Sequence, residues 1–102
     1  MATVGSAKPS STHDRKVREI ARDLEKQGYK VRADVRGREK PKAIGSKRPD
    51  IEATRHGRRL IVEVETPASL AKDKEQLKTF ARHAGQKVNT TLRVVVTKPR
   101  KK

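Results

Sequence analysis

The chain has 102 residues, enough for one small domain. Its 27 Lys and Arg against 12 Asp and Glu give a formal net charge of +15, with only 31% hydrophobic and 2% aromatic residues. There is no cysteine, which excludes disulfides and thiolate zinc sites. No apolar run approaches a signal-peptide core or a spanning helix, so a cytoplasmic, intracellular protein is expected.

The charge points to a polyanion, with nucleic acid favoured by its electrostatic term. A membrane surface fits less well, because no helix sets a broad apolar face against a basic one. The lean core makes the domain marginal by size, and a dimer would help it.

Residues 1–12 read as a disordered arm, small and polar with Gly5 and Pro9. Ser11 or Thr12 can cap a helix over His13–Gln27, whose stripe is Val17, Ile20, Ala21 and Leu24. Gly28 ends it. His13 lies one turn before Val17, where a histidine is more often a cap or core-edge residue than a ligand.

Tyr29–Val35 alternates, with Tyr29, Val31, Ala33 and Val35 against Lys30, Arg32 and Asp34, and reads as a strand with one buried face. Residues 36–49 form a loop crowded by Arg36, Arg38, Lys40, Lys42, Lys47 and Arg48. A charge run is usually a solvated loop, but this one leads into an acidic hairpin and is a candidate phosphate-holding segment.

That hairpin runs from Asp50 to Glu65, turning at His56-Gly57. Its register sets Arg55 opposite Arg58, Ala53 opposite Leu60, Ile51 opposite Val62 and Asp50 opposite Glu63. Ile51, Val62 and Val64 are expected inside, with Asp50 and Glu63 facing a cleft. Asp50, Glu52, Glu63 and Glu65 then share one surface. Like charges directly opposite are destabilising. Paired carboxylates in oxygen-rich surroundings suit a hard divalent cation such as Mg2+. The plainer alternative is a solvated face answered by nearby Arg and Lys.

After the hairpin, Thr66-Pro67-Ala68-Ser69 starts one helix reaching Ala84. Leu70, Leu77, Phe80, Ala81 and Ala84 make its stripe, and Gln76 lies on the flank. A last strand, Thr91–Thr97, carries Leu92, Val94 and Val96 on one face, and residues 98–102 are a basic tail. The order helix, strand, strand, strand, helix, strand predicts an α/β domain over residues 13–97, with a mixed four-stranded sheet flanked by helices.

This order, with Pro49-Asp50 opening one strand and Glu63-Val64-Glu65 closing the next, resembles the PD-(D/E)XK nuclease superfamily and its restriction-endonuclease-like core. Within it, the chain is most similar to small archaeal Holliday junction resolvases. The likeness covers residues 13 to 99 and includes Gly28-Tyr29, Gly45-Ser46-Lys47-Arg48, Ile61-Val62-Glu63-Val64, Lys74-Glu75-Gln76 and Phe80-Ala81-Arg82.

The resemblance implies Asp50 and Glu63 as metal-binding acids, the carbonyl of Val64 as a further ligand, Gln76 lining the site, Mg2+ or Mn2+ as cofactor, DNA as substrate and a homodimer. Two positions depart from the pattern. Glu65 stands where Lys is usual, although the superfamily includes a restriction endonuclease with Glu there. Physically, Glu65 would hold a second cation or take a proton from water. Lys72 and Lys74 are candidates for the missing positive charge. Val17 stands where resolvases present a helix Glu, leaving His13 or Asp14 as substitutes.

Three functions follow. The first is a metal-dependent DNA endonuclease, with branched DNA as the substrate the likeness suggests. The second is a non-catalytic nucleic-acid binder on the same fold. The third is a small ribosomal or RNA-associated protein, disfavoured by the scarcity of aromatics for base stacking.

Overall fold

A computed structural model describes residues 12–97. Most of the expected arm and the whole basic tail therefore lie outside the described residues. Helix α1 (Thr12–Lys26) buries Val17, Ala21 and Leu24, with Ile20 at the rim. Gly28, at φ +95, allows the chain to reverse. There the Tyr29 N–H donates to the Leu24 carbonyl and the Gly28 N–H to the Glu25 carbonyl, both at 3.0 Å. These bonds satisfy carbonyls the helix end would otherwise orphan.

Strand β1 (Lys30–Ala33) is shorter than expected. The chain leaves the ladder after Ala33: its N–H donates to the Glu39 carbonyl (2.9 Å), and that of Asp34 to the Asp50 carbonyl (2.8 Å). Val35 is nevertheless buried. The following loop is pinned to the body by buried Pro41, Ile44 and Pro49. Its basic side chains thus sit on a braced segment.

Strands β2 (Ile51–Arg55) and β3 (Arg58–Glu65) pair in the expected register, with Ile51 on Val62, Ala53 on Leu60 and Arg55 on Arg58. His56 at φ 51 and Gly57 at φ 77 are both left-handed, as a two-residue turn matched to strand twist requires.

The expected single helix after β3 is two. Helices α2 (Pro67–Lys72) and α3 (Lys74–Gly85) part at Asp73, at φ −99 and ψ 22. Aspartate is a poor interior residue because its carboxylate competes for local backbone groups. The helical stripe is corrected too. Phe80 and Ala84 are buried, Leu70 and Leu77 only partly, and Ala81 is exposed.

Strand β4 (Thr90–Val96) runs parallel to β3, giving the order β1-β2-β3-β4 in one mixed sheet. Both faces are covered. α1 packs on Ile51, Ala53, Leu60, Val62 and Val64, while Phe80 packs with Ile44, Ile61 and Leu92 on the other face. Consequently β3 is buried continuously from Leu60 to Glu65, and the acids it carries lie inside the domain. Of the expected β4 stripe, Leu92 is partly buried, while Val94 and Val96 are 39% and 43% exposed.

Candidate active site

Asp50 follows buried Pro49 at the entry to β2, and Glu63 lies near the end of β3. Each carboxylate grips the other's strand. Asp50 Oδ2 accepts from the Val64 N–H, and Glu63 Oε2 accepts from the Asp50 N–H, both at 2.8 Å. Gln76 on α3 donates to Glu63 Oε1 at 2.9 Å. From α1, His13 sets Nε2 3.2 Å from Asp50 Oδ2 and Nδ1 3.1 Å from Asp14 Oδ1. The structure thus brings together Asp50, Glu63, the Val64 backbone, Gln76 and His13.

Glu63 is 1% exposed. Burial, and then the negative charge of Asp50, push its carboxyl up to about 8, against the bonds from Asp50 N–H and Gln76. His13 is pushed up to about 9, chiefly by its bond to Asp50, with burial opposing and Asp14 adding to the rise. A protonated imidazole donates from both nitrogens, which matches its two carboxylate partners.

The register keeps Glu52, Glu63 and Glu65 on one sheet face, but Glu65 and Glu52 have partners of their own. Glu65 is tethered by the Ser69 hydroxyl, which donates to its Oε1 at 2.6 Å. Ser69 is itself fixed by reciprocal capping bonds with Thr66, at 2.9 and 3.0 Å. Burial raises the Glu65 carboxyl, and Asp73 and the Asp50 charge add to this, while the Ser69 bond opposes it. Glu52 is bound by Arg59, whose Nε donates to Oε2 at 2.8 Å. Arg59 also donates to His83 Nε2 at 3.0 Å. The His83 pKa is lowered, first by burial and then by Arg59 and Lys87. Glu52 therefore belongs to a separate ion pair.

Sequence reasoning missed Ser69, Arg59 and His83. The Arg59 signal was present in the register: Thr54 pairs with Arg59 and Glu52 with Ile61, so Glu52 and Arg59 are diagonal neighbours. Among the described residues, no three His, Asp or Glu side chains gather as a metal cluster. A cation here would take two carboxylates, a backbone carbonyl and water. That all-oxygen set suits Mg2+ or Mn2+. Glu63 supports the fit, because it is buried beside another acid and forms no ion pair among the described residues.

Of the basic-loop candidates, Arg38 is engaged by Glu25 through two bonds of 2.9 Å. Lys40 Nζ donates to the Val35 carbonyl at 2.8 Å. Arg36, Lys42, Lys47 and Arg48 are exposed. Lys72 and Lys74 are also exposed, and no ion pair to the acids involves them among the described residues.

A four-stranded mixed sheet with helices on both faces and paired acids at the β2 entry and β3 end defines a restriction-endonuclease-like domain. A family model agrees: the chain belongs to the REase_AHJR-like family, of archaeal Holliday junction resolvase-like proteins, matched over residues 6–102. This places it in the restriction-endonuclease superfamily of nucleases. No curated protein matches the chain. No helix among the described residues is long and apolar enough to cross a membrane.

Proposed function

We propose that this chain is a metal-dependent DNA endonuclease of the PD-(D/E)XK type, hydrolysing phosphodiester bonds in branched DNA. One observation carries the reading: Glu63 is held inside the domain against Asp50, in a position where its charge is costly. A divalent cation, when bound, supplies charge stabilisation of a phosphoryl oxygen and acidification of water.

Asp50, Glu63 and the Val64 carbonyl hold the cation. Gln76 fixes the orientation of the Glu63 carboxylate through its 2.9 Å bond. Glu65, with its raised affinity for a proton and its Ser69 tether, is the proton-handling group. His13 places positive charge on Asp50 from the helix, in a chain whose signature Lys is replaced. Arg36, Lys42, Lys47 and Arg48 contact the DNA backbone. Arg38 and Lys40 join them only by giving up their present partners. A homodimer would use the β4 edge, where Val94 and Val96 are exposed.

A second reading, a non-catalytic DNA binder, is favoured by the His13–Asp50 pair, which gives Asp50 a partner without a metal. Titration of Mg2+ and Mn2+, followed by NMR or calorimetry, separates the two. The nuclease reading expects binding to wild type that is lost in Asp50→Asn. Absence of binding to wild type, with and without DNA, leaves the binder.

A further inference from the structure

We propose that the cleft at the tip of the β2–β3 hairpin is a phosphate-binding subsite, distinct from the acid pair. Tyr29, Arg55, His56 and Arg58 line this cleft of about 410 Å³. That volume falls within the roughly 300–1,000 Å³ of small-ligand sites. Arg55 and Arg58 are directly opposite each other across the ladder. Like charges in that position destabilise a hairpin unless an anion offsets them.

Neither arginine forms an ion pair among the described residues, whereas Arg32, Arg38 and Arg59 each meet a carboxylate. The Arg55 guanidinium lies 5.6 Å from the centroid of the Tyr29 ring. This contact orients it while leaving its N–H fork available to an oxyanion. Tyr29 is in turn fixed by the α1 terminus, where its N–H donates to Leu24, and it packs against the core. The cleft therefore has a supported wall and two guanidinium groups with no ion-pair partner among the described residues.

Its position makes it independent. Arg55 and Arg58 share the sheet face of Ala53 and Leu60, which α1 covers, whereas Glu63 projects from the opposite face. Along β3, Glu63 is five residues beyond Arg58, about 17 Å of strand. A phosphate in the cleft is not the one facing Asp50 and Glu63. The shared chemistry is a phosphoryl group, whether of a nucleic-acid backbone or of a free phosphate or nucleotide.

The chain has one Tyr and no Trp, so Tyr29 ring resonances report on this cleft alone. The test uses the full chain in EDTA, which separates it from the metal reading. Inorganic phosphate, a short thymidine oligonucleotide and a short DNA duplex are titrated separately. Saturable movement of the Tyr29 resonances is expected. Response to DNA at far lower concentration than to phosphate assigns a strand as source, and equal response assigns the free ion.

The double substitution Arg55→Ala with Arg58→Ala should abolish the movement. Arg58→Gln, which keeps the Tyr29–Arg55 contact, should weaken it severalfold. Lys78→Ala with Lys87→Ala, removing equal charge elsewhere, should leave it unchanged. For duplex binding, the salt slope should fall by about one for each phosphate that the variant no longer neutralises. Tyr29 resonances that stay still with every probe, or that move equally in the arginine double variant, overturn the proposal. DNA binding with Tyr29 silent removes the subsite and leaves DNA binding elsewhere intact.

Discussion

Glu63→Gln keeps the shape of the side chain and removes its charge. In the folded protein the Glu63 carboxyl holds its proton up to about 8, against an ordinary value of 4.5. A group raised in this way contributes stability that is fully present below 4.5 and is lost as pH rises through 8. Over that window each pH unit costs about 1.4 kcal/mol, so the loss at pH 7 is about 3 kcal/mol. Glutamine does not titrate and escapes this loss. Its amide oxygen can still accept from the Asp50 N–H, and Gln76 can rotate its own amide to answer the new NH2 group.

The stability of Glu63→Gln minus that of wild type should therefore grow by about 3 kcal/mol between pH 4.5 and pH 7, in metal-free buffer. Urea denaturation of both proteins in EDTA at several pH values measures it. Added Mg2+ should stabilise the wild type and leave the variant unchanged. A gap that is flat with pH, or that shrinks as pH rises, would refute the account of Glu63 as a buried, uncompensated acid.

Other substitutions probe the same architecture. His13 is raised to about 9 from 6.5, so its contribution through Asp50 is complete below 6.5 and lost as pH rises through 9. With its side chain 34% exposed, His13→Ala should destabilise the metal-free protein near neutral pH by about 1 kcal/mol or less. That difference should vanish at high pH. The same variant should bind Mg2+ more tightly at neutral pH, because the cation no longer competes with an imidazolium for Asp50; weaker binding contradicts this. Gly28→Ala forces a Cβ into a φ of +95 and places it 3.6 Å from Arg55 Nε. It should cost about 1–2 kcal/mol in thermal or urea unfolding, and an unchanged midpoint would count against the helix-end account.

The fold was legible wherever local chemistry admits few solutions. His56-Gly57 between alternating segments permits a two-residue turn, and the turn sets the register that places Asp50 beside the end of β3. Gly28 after an apolar stripe announces the end of α1. Asp50 and Glu63 follow from the register, Gln76 only from the family resemblance, and the structure places Glu63 in contact with both of the others.

What escaped depends on contacts distant in sequence or on how deeply the covering helices bury a face. Helices on both faces are expected, but the alternation of β3 does not show how deeply Glu63 and Glu65 are buried beneath Gln76 of α3 and Ser69 of α2. The break at Asp73 needs local backbone geometry that helical periodicity does not reveal. Ser69 binds Glu65 only because the capping turn of α2 folds back on the β3 end. His13 is a site candidate only through the resemblance, as one of two substitutes for a helix Glu, because its contact with Asp50 spans 37 residues and no local pattern reports it.

The central claim is that Asp50 and Glu63 support metal-dependent hydrolysis of DNA. The most direct measurement is cleavage of end-labelled branched, duplex and single-stranded DNA by wild type and Asp50→Asn, with Mg2+, with Mn2+ and with EDTA. The account predicts cleavage by wild type that requires the cation, is strongest on branched DNA, and is lost in Asp50→Asn while DNA binding is retained. Wild type that binds these DNAs yet cuts none with either metal, or cutting that survives Asp50→Asn, would contradict it.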